Sequence, residues 1–153
     1  LEHTTLEALT ALTSAPRVRD GKGNFARDLI CVTGTENGQS IIAWLISSDN
    51  ETITEAQIEW LKDRPVPPVC KPLPAEHLPI RLGKVGLGMT AKEIQEHLGT
   101  PSLADEDGWQ FWFSQRFLRN ARNLQELELN WLAVHFTKDG LVDKSFVAQV
   151  TNL

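Results

Sequence analysis

The sequence predicts an α+β fold: helices packed on an antiparallel β-meander, compatible with two tandem α/β halves. Three observations predict it. Segments near the start and around residue 90 carry N-cap chemistry followed by apolar residues at helical spacing. Three alternating apolar runs at 109–118, 127–137 and 141–150 are separated by short polar turns, which makes a meander. The helical signals are segregated from these strands rather than interleaved with them one by one.

The chain has 153 residues, 41% hydrophobic and 23% charged. That is enough apolar material to fill a core and too much for a disordered chain. The length fits one domain or two small ones. The organisation read from the sequence is an N-terminal α/β half at 1–70, a Pro-rich linker at 71–85, and a helix plus three-stranded sheet at 86–153. The formal net charge of −5 argues against a nucleic-acid surface, which needs clustered Lys and Arg. The longest apolar run, Ile41 to Ile46, is strand length and far short of the ~18 residues that span a bilayer.

The first helix is expected within "TTLEALTALTSAP". Thr4 and Glu7 offer a capping box, Leu6, Leu9 and Leu12 recur at helical spacing, and Pro16 ends it. Leu29–Thr33 and Ser40–Ser47 read as strands joined by the "ENG" hairpin turn at 36–38. "ITEAQIEWLKDRP" predicts a second helix, with Thr54 as N-cap, Gln57 as its partner, Ile53 and Ile58 as a staple, and Pro65 as the stop. Residues 64–79 hold six prolines and read as an extended crossover.

"GLGMTAKEIQEHLGTPS" predicts a third helix. Thr90 caps it, Glu93 is the reciprocal partner, Met89 and Ile94 form the staple, and Gly99 and Pro101 stop it. "TTLEALTALTSAP" and "MTAKEIQEHLGTP" share Thr-x-x-Glu, then Leu, then Pro, which fits either a duplication or chance. "DEDG" at 105–108 is a polar turn, "NARN" at 120–123 breaks a strand, and "KDG" at 138–140 is a hairpin turn.

Residues 86–150 carry Gly88-Met89-Thr90, Ile94, Leu98-Gly99 and Pro101. An aromatic strand at Trp109–Phe113 follows, then Leu132, Val134, Phe136, Gly140 and Val142. In this the segment resembles the small outer-membrane lipoproteins of the SmpA/OmlA type, the BamE-like family, and the fold of β-lactamase inhibitor protein. The resemblance covers under half the chain. It implies an envelope or secreted setting and protein binding, and a lipid anchor upstream of Leu1 is compatible with it. The long insertion "SQRFLRNARNLQE" departs from the pattern, and no family binding residues carry over.

His3, His77, His97 and His135 show no metal-ligand spacing. "GKVGLG" at 83–88 lacks the Lys-Ser/Thr ending of a phosphate loop and reads as a turn. Asp105, Glu106 and Asp107 form a carboxylate run without the further oxygens of a calcium loop. No cofactor or metal is expected. Cys31 and Cys70 are either two buried thiols or one disulfide. The disulfide is favoured because Cys70 lies in a Pro-rich segment with little packing of its own, and it points to an oxidising compartment.

The aromatic strands carry the functional expectation. The alternation assigns 109/111/113 and 132/134/136 to the core. That leaves Trp112, Trp131 and His135 on the opposite face, either as a binding surface or covered by residues 1–70. Asp105, Glu106 and Asp107 form a charged rim suited to a basic partner. The expected function is a non-enzymatic, extracytoplasmic protein-binding module, periplasmic or associated with the outer membrane, that grips a protein partner through this face. No nucleic acid and no transmembrane helix are expected. The alternatives are a small-ligand carrier using a cleft between two α/β halves, or an enzyme of unrecognised class.

Overall fold

A computed structural model describes residues 4–119 and 122–152. Among them the chain forms one nine-stranded sheet, with order β1-β2-β3-β4-β9-β8-β7-β6 and β5 beside β2. The α-helices among the described residues are α1 (Leu6–Thr13) and α2 (Ala91–Leu98), eight residues each. The strands are β1 (Val18–Asp20), β2 (Arg27–Glu36), β3 (Gln39–Ser47), β4 (Glu55–Trp60), β5 (Lys71–Pro72), β6 (Leu103–Ala104), β7 (Trp109–Arg119), β8 (Gln125–Phe136) and β9 (Val142–Asn152). The α+β expectation is therefore corrected. This is a β-rich fold in which one largely antiparallel sheet is the body and two short helices lie on it. The order α1-β1-β2-β3-β4 recurs as α2-β6-β7-β8-β9, and the two sets join through β4 and β9 at the centre.

The largest local correction is β4. The expected helix at 54–65 is a strand over Glu55–Trp60, paired with β3 on one side and β9 on the other. Within "EAQIEW" the residues alternate. Ala56 and Ile58 are fully buried, while Gln57 and Glu59 face the other way. Period two is the pattern of a strand with one face on a core. Ladders on both sides pair β4 from Glu55 to Glu59, so tertiary pairing overrides the Thr54 cap signal. Thr54 instead joins the turn before β4, its N–H donating to Ile46 O and its hydroxyl accepting from Ser48 N–H.

Capping at the two helices contrasts. In α2, Thr90 Oγ1 accepts from Glu93 N–H and Glu93 Oε2 accepts from Thr90 N–H, which is the full capping box. In α1 the cap is Thr5, whose Oγ1 accepts from Ala8 N–H. The expected Thr4–Glu7 box does not form: with Thr5 as the cap, position N3 is Ala8 and Glu7 falls at N2, while the Thr4 carbonyl accepts from Ile53 N–H. The helix ends at Ser14 in the left-handed conformation, two residues before Pro16.

The strand expectations elsewhere match closely. Asn37 and Gly38, both at positive φ, turn β2 into β3, as a tight hairpin with right-handed twist requires. β7, β8 and β9 form the meander. Strand pairing runs through the "SQRFLRNARNLQE" segment as far as Arg119↔Gln125, so the insertion lengthens a hairpin arm rather than forming a free loop. Part of the 120–123 break lies outside the described residues.

The core sits between the sheet and the helices. Leu6 of α1 and Ile94 of α2 meet Ile30, Val32, Ile41, Ala43, Ala56, Ile58 and Val134 from the sheet. Leu82, Val85 and Leu87 belong to the same buried cluster. Within 71–85, Lys71 and Pro72 pair in parallel with Val32 and Thr33, and Leu78 packs against the bare Cα of Gly34.

Candidate binding face

The register of β7 and β8 decides which aromatics share a surface. Trp112 stands opposite Leu132, and Gln110 opposite Val134. Trp109 stands opposite His135, Phe111 opposite Ala133, and Phe113 opposite Trp131. Directly opposed residues share a face, so Trp112 belongs with Leu132 and Val134 on the helix side. There it packs against the core, and its Nε1–H donates to Gly99 O at 3.2 Å, at the end of α2. The expectation that Trp112 and Trp131 share a face is corrected: they lie on opposite sides. The expected core set Trp109, Phe111 and Phe113 is instead on the face without helices, together with Trp131 and His135.

This second face carries an aromatic row. Trp109 and Phe111 stack with centroids 6.2 Å apart, and Phe111 and Phe113 with centroids 6.4 Å apart. Trp109 leans on the His135 ring at 5.2 Å. Phe113 is 52% exposed, Phe117 64% and Trp131 45%. Leu103 on β6 and Val150 on β9 extend the apolar surface. Phe113, Gln115, Leu129 and Trp131 line a shallow hollow in it. Leu103, Phe117 and Val150 were not singled out from the sequence. The signal for Phe117 was present, since it continues the 109/111/113 alternation.

The same face is closed at the other end of the sheet. Cys31 on β2 and Ile42 on β3 are buried under Leu61 and Cys70, with Trp44 and Val69 packed around them. Cys31 and Cys70 are joined as a disulfide, with Cα atoms 4.5 Å apart. Residues 61–70 thus form a strap over β2 and β3. Part of the 1–70 segment does cover this face, but Trp131, Phe113 and Phe117 remain exposed.

A polar chain fixes the border between the covered and open ends. Lys62 in the strap donates its Nζ–H to Asp143 Oδ2 at 2.7 Å, and Asp143 Oδ1 contacts His135 Nδ1. His135 Nε2 lies 3.0 Å from Asp107 O. Both ring nitrogens therefore face acceptors; a neutral ring can donate to one of them, an imidazolium to both. Burial alone would raise the Asp143 pKa, but hydrogen bonds from His135 and Lys62, with their charges, hold it below the usual carboxylate range. Glu59, Arg64 and Lys144 complete a small hollow beside Trp109, with Glu59 paired to both cations.

The acidic turn has a structural task as well as an exposed edge. Asp105 Oδ1 accepts from the N–H groups of Asp107 and Trp109, so this carboxylate shapes the entry to β7. Gly108 sits at φ +95°, and a Cβ there would lie 2.7 Å from Phe136 O. Only glycine allows that approach. Glu106 and Asp107 are exposed beside it. No group of three His, Cys, Asp or Glu is placed to hold a metal among the described residues.

On the helix side, the far end of the β7–β8 arm is locked by charge. Glu128 is 1% exposed and accepts from Arg116 Nε–H at 2.6 Å, from Arg116 Nη2–H at 3.0 Å, and from Asn130 Nδ2–H at 2.8 Å. The Arg116 hydrogen bonds, then that of Asn130, hold the Glu128 pKa at about 2, below its usual 4.5. A carboxylate with a depressed folded-state pKa contributes stability above its unfolded pKa. That stability is lost as pH falls through the folded value, here between about 4.5 and about 2. Glu128→Gln is expected to cost about 1–2 kcal/mol at neutral pH, below the 3–5 of a fully buried pair because Arg116 is half in water. It should also flatten the acid limb of the stability–pH profile. Urea titrations from pH 6 to 2 check this; parallel profiles for both proteins would refute it.

No helix among the described residues is long and apolar enough to cross a membrane. Compared with known proteins, the chain matches no family model, no curated protein and no solved structure.

Proposed function

We propose that this chain is a non-enzymatic, extracytoplasmic protein-binding module that grips a protein partner through the open aromatic face of β7 and β8. One observation carries the reading: Phe113, Phe117 and Trp131 stand exposed in one patch on a rigid sheet. Contiguous exposed aromatics of this kind are costly in water and are typical anchors of interfaces. Trp109 and Phe111 stack behind them and hold the row in place. Glu106 and Asp107 give the row an acidic border that suits a partner with basic groups near an apolar segment. The disulfide supports an oxidising compartment. That agrees with the envelope setting implied by the BamE-like motifs of residues 86–150.

The test is capture by immobilised protein from an envelope extract, followed by reconstitution with the purified partner. Phe113→Ala with Trp131→Ala is expected to weaken binding at least about 30-fold, the loss that a single hot-spot aromatic of about 2 kcal/mol accounts for. Both side chains are about half exposed, so the melting temperature should barely move. Lys92→Ala with Glu96→Ala, on the exposed side of α2, should bind as the unaltered chain does. Undiminished binding by the aromatic variant, or equal loss in both, would overturn the assignment.

A further inference from the structure

The two outer edges of the sheet are finished differently. At one edge, β2 is covered by β1 over Arg27–Leu29 and by β5 over Val32–Thr33. At the other, β7 is paired with β6 only at Gln110 and Phe111. Beyond that point Phe113 N–H donates to Ser102 Oγ at 3.4 Å. Residues 113–117 are all exposed. An exposed strand edge of this kind is a template for another strand.

The direction of the backbone groups can be read from the neighbouring contacts. Trp109 O accepts from Asp105 N–H and Phe111 O from Ser102 N–H. The odd residues of β7 therefore turn their N–H and C=O outward, away from β8. The β7–β8 register runs without a shift, so Phe113, Gln115 and Phe117 present the outward groups. Their side chains lie on the open aromatic face.

From this geometry we infer that a second copy of this chain adds along the bare edge, antiparallel, with a two-fold axis at Gln115. This register gives three hydrogen-bonded residue pairs, Gln115 with Gln115 of the other copy and Phe113 with Phe117 twice, with the Phe113 N–H exchanging its long contact to Ser102 Oγ for the Phe117 carbonyl of the other copy. Aromatic cross-strand pairs of this kind are favourable. On the helix side it sets Arg116 opposite Ser114. Moving the axis one residue, to Arg116, would set two arginines directly against each other, which is unfavourable. Pairing cannot extend past Phe113 toward the start of β7, because β6 occupies Phe111. The interface is thus self-complementary and isologous, and it is short. The dimer joins two aromatic faces into one surface with twice the area. This inference is independent of the proposed partner binding: it concerns the edge of β7, whereas that reading concerns its face.

The experiment uses cysteine cross-linking of the whole chain. Both native cysteines are in the disulfide, so one introduced thiol reports alone. Paired residues of this kind have Cα atoms about 5.5 Å apart, within disulfide range. Gln115→Cys should therefore form a covalent dimer under mild oxidation. Phe113→Cys alone should not, but it should cross-link when mixed with Phe117→Cys. Sedimentation equilibrium of the unaltered chain should show a dimer with a dissociation constant on the order of 100 µM, as suits a small interface. Gln115→Pro removes an outward N–H that β8 does not use, and it should weaken the dimer at least about tenfold. Phe117→Lys, at an exposed position, should do the same with the melting temperature retained. A monomer at all concentrations with no Gln115→Cys dimer would overturn the inference. So would Phe113→Cys alone cross-linking as well as Gln115→Cys.

Discussion

Replacing Cys31 and Cys70 together with alanine is expected to lower stability by about 4 kcal/mol. The disulfide joins residues 39 apart in sequence, and the chain-entropy relation for a loop of that length gives this value. For a chain of this size the melting temperature should fall by about 10 °C or more. The loss should also be uneven. The strap at 61–70 holds to the sheet through a small cluster, Cys31, Ile42, Leu61 and Cys70 with Trp44 and Val69, and through the Lys62–Asp143 ion pair. Its prolines prevent it from forming a regular element of its own. Without the covalent tie it should lift before the sheet unfolds. Proteolysis within 62–69 would then speed up at temperatures where β2–β4 remain protected from hydrogen exchange. A double variant within about 1 kcal/mol of the unaltered protein would show that the strap is held by packing alone, against the model-dependent entropy argument.

The strap also explains why the open face could not be located from alternation. Period-two patterning states which residues share a side; it does not state which side is covered. In "WQFWFSQRF" the bulky odd residues 109, 111, 113 and 117 look like a core face. They are the exposed row, because both helices lie on the even side. That side is less apolar at β7, where Gln110, Ser114 and Arg116 flank Trp112. Relating β7 to β8 required the hairpin register. Arg119 pairs with Gln125, so five residues intervene, and odd residues of β7 oppose odd residues of β8. One residue more or fewer would have put Trp112 beside Trp131.

What the sequence expressed well was local. The Thr90–Glu93 box, the Asn37-Gly38 turn and the β7–β9 meander each depend on residues within a few positions of one another. The Arg116–Glu128 pair and the Lys62–Asp143–His135 chain depend on register or on contacts across many residues. They became visible only when the sheet was assembled. β4 lies between these cases, since "EAQIEW" carries a cap-like entry and a strand-like period at once.

That conflict yields the second large effect. Ile58→Ala is expected to cost about 3–4 kcal/mol, in the range for truncating a fully buried isoleucine. Ile58 is 0% exposed on a central strand, opposite Ala43 on β3 and Ser145 on β9. The cavity would open beneath the joint between the two sets of strands, where neighbours are held by ladders on both sides and cannot collapse into it. Trp60→Ala, on the same face and packed on the same core, should cost about 2–3 kcal/mol. Gln57→Ala and Glu59→Ala face the other way and should cost less, about 1 kcal/mol, since the cations paired with Glu59, Arg64 and Lys144, keep contact with water when it is removed. Chemical unfolding of the four variants would therefore show losses alternating every second residue. A helix over the same residues would instead group Thr54, Ile58 and Leu61, and would tolerate change at Trp60. A loss at Ile58 with none at Trp60 would contradict the β4 strand and, with it, the single continuous sheet that joins the strapped face to the open one.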